Sequence, residues 1–280
     1  LMQVIYSEAR ADEENLLNYR ELLLNFETVN PAMQALAPTL EHGDPDDFQG
    51  VVHYHKGNLF LQYLENAFGR DVFDAFIGEY FRDFAFGTIT SEQFLDYLDE
   101  NLLLAYPGKV SREQARQWLY APGLPDDALI PTSKNLDTAA EMAALWSSGE
   151  IDIADVPSPD WSPQAMRHFI NSLYSDLSTE RLSELDAALG LSDTSNAEIG
   201  RTWFIQVAQR QHRPAYEKLE QHLRRYGRTR LVRPVYVALA QNGSDFELAR
   251  ELFAKVQGIY HPLTNISIES AFRRIQEAEQ

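Results

Sequence analysis

The chain has 280 residues, of which 44% are apolar and 24% charged, so it can bury a large core and does not have the composition of a disordered protein. Its net charge of −18 and isoelectric point near 4.7 argue against nucleic acid as a partner, and no apolar run reaches the roughly 20 residues that a membrane span needs. The absence of cysteine excludes disulfides, thiolate zinc sites and cysteine nucleophiles.

Apolar residues recur at helical spacing along almost the whole chain. The clearest stretches are Leu16–Phe26, Leu59–Ala67 and Val72–Phe84, with Gly69 between the last two. The aromatic residues expected in the core of this part are Phe68, Phe73, Phe76, Tyr80, Phe81 and Phe84. Alternating strand patterns are scarce, so the sequence predicts an all-α fold.

Several helix starts are marked by capping signals. The predicted capping boxes are Thr90 with Gln93, Ser111 with Gln114, Thr138 with Glu141, and Ser244 with Glu247. Pro163 directly follows Ser162, which predicts a proline at the first helical position. Each signal predicts that a helix begins immediately after the capping residue.

An interruption at Trp118–Asp127 divides the chain. Two prolines and a glycine lie close together there, and Pro131 extends the break. About four helices are expected before it, and shorter helical segments after it. The predicted breaks between these segments are Asp155–Pro163, Ser192–Asn196, Gly227, Asn242–Ser244 and Tyr260–Pro262. Successive helical pairs without strands favour a stacked, superhelical array.

Several motifs occur in a fixed order along the chain. They are Asp44–Asp46, Val52–Gly57, Trp118–Pro125, Asn196–Ile199 followed by Trp203, Gly227–Pro234, and His261–Pro262. This order is similar to the leukotriene A4 hydrolase branch of the M1 zinc aminopeptidases, including its bacterial members. The resemblance implies three parts: the helical end of a thermolysin-like catalytic domain in residues 1–117, a proline-rich linker in 118–132, and a C-terminal armadillo/HEAT-like helical array in 133–280.

The resemblance also implies a catalytic zinc, which the family holds with H-E-x-x-H and a glutamate one helix later. Both lie upstream of the tyrosine motif in the family, and no H-E-x-x-H occurs in this sequence. His53 and His55 are two residues apart, so they would splay around a helix, and no third ligand accompanies them. We therefore expect zinc in the complete enzyme, with no metal ligand in this chain and no zinc bound to it.

Tyr54 is the candidate catalytic residue. By resemblance, its phenol donates a hydrogen bond to the oxyanion that forms when water attacks the peptide carbonyl, a role that suits a donor protonated at neutral pH. Taken without the resemblance, the sequence favours an aromatic side chain packed at a helix N-terminus. The family usually has an acidic residue directly after this tyrosine, where this chain has His55.

Arg228 and Arg230 are candidate substrate-binding residues. By resemblance, the first cation grips the free carboxylate of a short peptide and the second lies nearby. A guanidinium can bind a carboxylate through two parallel hydrogen bonds, which fixes the register of the peptide. They belong to a basic run in an acidic chain, made up of Arg224, Arg225, Arg228, Arg230 and Arg233. The alternative is that these arginines form salt bridges to surrounding carboxylates or belong to a solvated helix end.

Asp46 is the third candidate, and by resemblance it lines the substrate channel. An Asp-Pro turn with solvated acids explains Asp44–Asp46 equally well. Members of the family that act on the lipid epoxide carry a tyrosine where this chain has Gln49, so epoxide hydrolysis is not expected.

Two functions follow from these patterns. In the first, the chain is a fragment of a zinc aminopeptidase that removes N-terminal residues from short peptides, with an upstream glutamate as the general base. Its partners are then peptide substrates and the missing parts of the same protein. We expect the isolated chain to be inactive, to self-associate through exposed apolar surface, and to derive from a cytoplasmic protein. In the second, the chain is a zinc-free helical-repeat module for binding or assembly.

Overall fold

The computed structural model describes residues 5–38 and 50–278, which fall into two compact units. The first unit ends at Thr132 and the second begins at Ser133. Within the described ranges all regular secondary structure is helical, and no strand is present. The predicted all-α fold is therefore confirmed. None of the helices in these ranges has the length and apolar character needed to cross a membrane.

Within residues 8–38 and 50–132, the first unit has five α-helices. They are α1 Glu8–Thr28, α2 Val51–Phe68, α3 Arg70–Asp83, α4 Ser91–Leu98 and α5 Arg112–Tyr120. Gly69 separates α2 from α3 and has a φ of 89°, a conformation that strains residues with a Cβ atom. The sequence therefore places glycine where the chain has to leave one helix and enter the next.

The core of the first unit centres on Trp118, whose side chain is fully buried. Its ring lies 5.6 Å from the ring of Phe60 and 5.5 Å from that of Tyr63, both on α2. The expected aromatic core is only partly observed, because Phe81 is 67% exposed. Phe73 and Phe76 are buried on one face of α3, and Phe81 lies on a different face of this amphipathic helix.

The described part of the second unit, residues 133–278, contains eight α-helices. They are α6 Lys134–Ser148, α7 Pro163–Asn171, α8 Thr179–Leu189, α9 Ala197–Gln209, α10 Tyr216–Arg225, α11 Thr229–Gln241, α12 Phe246–Val256 and α13 Pro262–Ala278. Helix α6 packs on α7, α7 on α9, α9 on α11, and α11 on both α12 and α13. This neighbour-to-neighbour packing is a stacked helical array, so the predicted array is confirmed.

The capping predictions succeed at three places and fail at two. Thr90 and Ser111 form the expected capping boxes. Ser162 caps α7, and Pro163 occupies the first helical position as predicted. Thr138 lies inside α6, because the buried Ser133 accepts the backbone N–H of Leu136 and starts that helix earlier. Ser244 also caps no helix, since it belongs to a 3₁₀ turn and α12 begins after it. A capping motif therefore marks a start only where the chain has not already entered a helix.

Candidate functional site

Tyr54 lies in the first turn of α2 and presents its ring to solvent, with 74% of the residue exposed. Val52, Leu59 and Phe60 on the same helix are buried, so Tyr54 stands on the opposite face. Its hydroxyl has no hydrogen-bond partner among the described residues of its unit. Negative charge is favoured near a helix N-terminus, so this position suits a donor to an anion.

The turn that carries Tyr54 is held in place by Lys56, whose side chain is completely buried. Its ammonium group donates to the backbone carbonyls of Gln34, at 3.0 Å, and Ala121, at 2.7 Å. Burial without a carboxylate partner lowers the pKa of Lys56 to about 8. Lys56 thus ties the start of α2 to the 3₁₀ turn at Pro31–Gln34 and to the residue just after α5.

The two histidines beside Tyr54 do not point to a common metal. His55 pairs with Glu21, with Nε2 3.2 Å from the carboxylate, whereas the buried Nδ1 atom of His53 has no partner among the described residues. In the ranges 5–38 and 50–278, no three histidine, aspartate or glutamate side chains are grouped so that they could hold a metal ion. The described residues therefore do not fit a zinc site, and we assign them no zinc chemistry.

Arg228 lies at the N-cap of α11 with its side chain exposed. Its carbonyl accepts the backbone N–H groups of Leu231, at 2.8 Å, and Val232, at 3.2 Å, so its backbone begins the helix. The guanidinium has neither an ion pair nor a hydrogen bond within the described part of the second unit. It can therefore bind a carboxylate without first losing an existing partner.

The turn before Arg228 is supported from α13. Thr264, which is only 2% exposed, donates to the carbonyl of Gly227 at 3.2 Å. The hydroxyls of Thr264 and Thr229 are 2.7 Å apart. A Cβ atom at Gly227 would lie 3.4 Å from the ring of Tyr260, so the backbone approaches that ring closely. The residues on either side of Arg228 are thus held by groups of one neighbouring helix and the segment before it.

Arg230 differs from Arg228 because it already has a partner. Its guanidinium is paired with the carboxylate of Glu198, which also contacts Arg201 at 3.2 Å. Arg224 is likewise paired with Glu220, at 2.8 Å. Salt bridges are therefore present at these two arginines. No ion pair to Arg228 occurs in the described part of its unit, and its exposed position at the helix start also fits the solvated helix end.

Asp46 lies outside the described residues, together with Asp44 and Gln49. Its assignment to a substrate channel stays a prediction. Tyr54 and Arg228 belong to different units, so each is described only within its own surroundings.

Lys56 and Thr264 have structural roles that the sequence motifs do not indicate. A signal for Lys56 exists, since it is four residues after Val52 and three before Leu59, both at core positions of α2. Thr264 gives a similar signal, since it is four residues before the buried Ile268 on α13. Its two partners could not be predicted, because they are 35 and 37 positions away.

Both units match models of known protein families. The model of the peptidase family M1 domain matches residues 3–118. The model of the leukotriene A4 hydrolase C-terminal region matches residues 161–272. The two matches lie on either side of the boundary between the units.

Individual relatives agree with these matches. Leucine aminopeptidase 2-2 of Scheffersomyces stipitis is 32% identical over 248 residues, which cover 81% of this chain and 38% of that protein. Aminopeptidase B of Homo sapiens is 29% identical over 254 residues, covering 83% of this chain and 38% of that protein. The chain therefore spans well under half the length of these curated relatives.

The fold also matches a solved structure. Native yeast LTA4 hydrolase superposes with a TM-score of 0.82 at 24% identity, over 97% of this chain and 47% of that one. This likeness establishes the fold of the helical array. With both units matched, the chain belongs to the M1 peptidase family and corresponds to the C-terminal part of its leukotriene A4 hydrolase-like members.

Proposed function

We propose that this chain is the distal part of a zinc aminopeptidase that removes N-terminal residues from short peptides. The guanidinium of Arg228 carries the proposal, because this cation on a held turn has no partner in the described part of its unit although the chain has a net charge of −18. The names of the relatives support the same activity, since they are aminopeptidases. A cytoplasmic location for the complete protein belongs to the same proposal.

In the proposed reaction, Tyr54 holds a proton on its phenol and donates it in a hydrogen bond to the oxyanion of the attacked peptide carbonyl. Such a donor acts when it is positioned before charge develops, so that no reorganisation is needed. The buried ammonium of Lys56 supports this role because it fixes the turn from which Tyr54 projects. Zinc, in the complete enzyme, supplies an activated water and would be held by residues of the part that this chain does not cover.

Arg228 binds the free carboxylate at the far end of the peptide in this proposal. Arg230 has a secondary role, since binding a substrate would compete with its pairing to Glu198. Asp46 is proposed to line the channel on the motif alone. The carboxylate contact would restrict the enzyme to short peptides, because only these place their C-terminus at a fixed distance from the scissile bond.

The proposal predicts that residues 1–280 alone have no appreciable peptidase activity. An aminoacyl anilide, with and without a chelator, should be offered to this chain and to the complete protein at equal concentration. We expect chelator-sensitive hydrolysis only with the complete protein. Chelator-sensitive hydrolysis by residues 1–280 would show that the chain contains its own metal site and would refute this part of the proposal.

Light scattering of residues 1–280 tests a second part, the self-association expected when apolar surface lacks its partner. The exposed apolar side chains of the second unit include Ile259, Leu263 and Ile266, each more than half exposed. A monomer at high concentration would contradict this expectation.

In the peptidase assay, inactivity of the complete protein as well as of residues 1–280 would instead favour the helical binding or assembly module.

A further inference from the structure

We infer that Thr264 is the residue that positions Arg228 for the carboxylate of the substrate. The inference rests on the proposed function of Arg228 and adds a residue to which no role was assigned. It is drawn from the position of a single buried hydroxyl, which contacts the residue before Arg228 and the residue after it.

The direction of these hydrogen bonds follows from the chemistry of a hydroxyl. Thr264 has one hydrogen to donate and gives it to the carbonyl of Gly227. The hydroxyl of Thr229 is therefore the donor to Thr264, at 2.7 Å. Thr229 therefore donates to Thr264, and Thr264 donates to the carbonyl of Gly227, so that the residues on both sides of Arg228 are linked through Thr264.

The enclosed residue needs this support because Arg228 stands outside the regular helix. Its φ of −74° and ψ of 130° are extended, so the hydrogen-bond ladder of α11 fixes its carbonyl and leaves the peptide before it to other contacts. Rotation of the Gly227 peptide would swing the whole Arg228 side chain. Thr264 prevents that rotation by holding the carbonyl of Gly227.

A second residue, Tyr260, packs against the backbone of Gly227. The ring of Tyr260 lies where a Cβ atom at position 227 would be in van der Waals contact, 3.4 Å away. The hydroxyl of Tyr260 donates to the carbonyl of Leu223, near the end of α10. The turn is therefore packed on one side and hydrogen-bonded on the other, while the guanidinium stays exposed.

The test uses the complete enzyme and two substrates, a short peptide with a free C-terminal carboxylate and the same peptide with a C-terminal amide. Thr264→Val keeps the side-chain volume and removes the hydroxyl. We expect it to raise KM about 3- to 10-fold for the free acid, as for loss of one or two neutral hydrogen bonds. The KM of the amide should not change.

Three further variants separate a positioning role from a structural one. Thr264→Ser keeps the hydroxyl and should restore the preference for the acid. Thr229→Val removes only one of the two bonds and should cause a smaller shift, which keeps the inference testable if Thr264→Val folds poorly. Ser133→Ala removes another buried hydroxyl of the same unit and should leave the acid-to-amide ratio unchanged.

Arg228→Gln distinguishes this inference from the function on which it rests. It should abolish the preference for the acid, with a loss of about 10- to 100-fold. If Arg228→Gln has that effect and Thr264→Val either changes nothing or slows both substrates equally, the role of Thr264 is refuted and the function of Arg228 stands. If Arg228→Gln itself does not distinguish the two peptides, the proposed carboxylate site is wrong.

Discussion

The first turn of α2, which carries Tyr54, and the turn before α11, which carries Arg228, are held in place by different kinds of contact. Each presents an exposed polar side chain from a fixed backbone, yet Tyr54 lies inside α2 and Arg228 lies just before α11. One buried lysine ties the first turn to distant carbonyls, and one buried threonine bridges the residues around the second.

The difference follows from helix geometry. Hydrogen bonds within α2 already fix the backbone at Tyr54, so the helix needs only to be anchored as a rigid body. Arg228 precedes the first complete helical turn and lacks that internal support, so both of its neighbours require separate contacts. A functional residue at a helix cap therefore depends on more local contacts than one within the helix.

The largest expected effect is the loss of catalytic rate on removal of the Tyr54 hydroxyl from the first turn of α2. Tyr54→Phe in the complete enzyme should lower kcat by about 10²–10³, because one oxyanion donor is lost. The change leaves the anchor of the turn intact, so the melting temperature should not fall. Tyr106→Phe, at another exposed tyrosine of the same unit, is the matched control. Equal kinetics for the two variants would remove Tyr54 from the mechanism.

The anchor of that region can be broken separately. Lys56→Met should reduce the free energy of unfolding by about 2–3 kcal/mol, because two carbonyls lose their donor while a buried charge is removed. Denaturant titration of residues 1–280 measures the change.

Lys109→Met provides the comparison, since Lys109 also donates to a backbone carbonyl, that of Ala67, but is exposed. It should cost less than about 1 kcal/mol. A similar cost for both lysines would mean that burial does not strengthen the role of Lys56.

The stability of the packing next to the Arg228 turn should depend on pH through His222. His222 lies between the rings of Phe204, at 5.0 Å, and Tyr226, at 4.8 Å, and Tyr226 directly precedes Gly227. Burial, with a smaller contribution from Arg225, lowers the pKa of His222 to about 4, below its ordinary value of 6.5.

The unfolded chain therefore binds this proton first as the pH falls below 6.5, and the folded state loses stability down to about pH 4. Between pH 7 and pH 5 we expect a loss of about 2 kcal/mol from this group. The difference in unfolding free energy between the wild type and His222→Gln, measured at both pH values, isolates it from the carboxylates. A difference that does not vary with pH would show that His222 titrates normally in the folded state.

Much of the fold could be predicted because the signals are local. Helical periodicity and the breaks near Gly69, Gly227 and Pro262 depend on residues close in sequence, and the structure confirms them. The errors arise where packing decides, as at Phe81, or where a helix has already begun, as at Thr138. Aromatic character alone does not indicate which face of α3 Phe81 occupies, and a capping motif does not indicate whether a helix has already begun.

For the candidate site, sequence motifs identified Tyr54 and Arg228 but not the contacts by which Lys56 and Thr264 hold the turns that carry them. The carbonyl of Ala121 is 65 residues from Lys56 in the sequence, and Gly227 is 37 residues from Thr264. Such contacts exist only after the helices pack, so no spacing rule predicts them. The sequence also did not reveal that Arg230 is paired with Glu198, whereas Arg228 has no such pair among the described residues of its unit.

Thr264 belongs to α13, which is the last helix in the described array and packs on α11. Each local opening of α13 would release the Gly227 carbonyl, because Thr264 lies in the first turn of that helix. The backbone at Arg228 is then coupled to the opening equilibrium of α13. Hydrogen exchange at the amides of α13 would report how often the turn before Arg228 loses this contact.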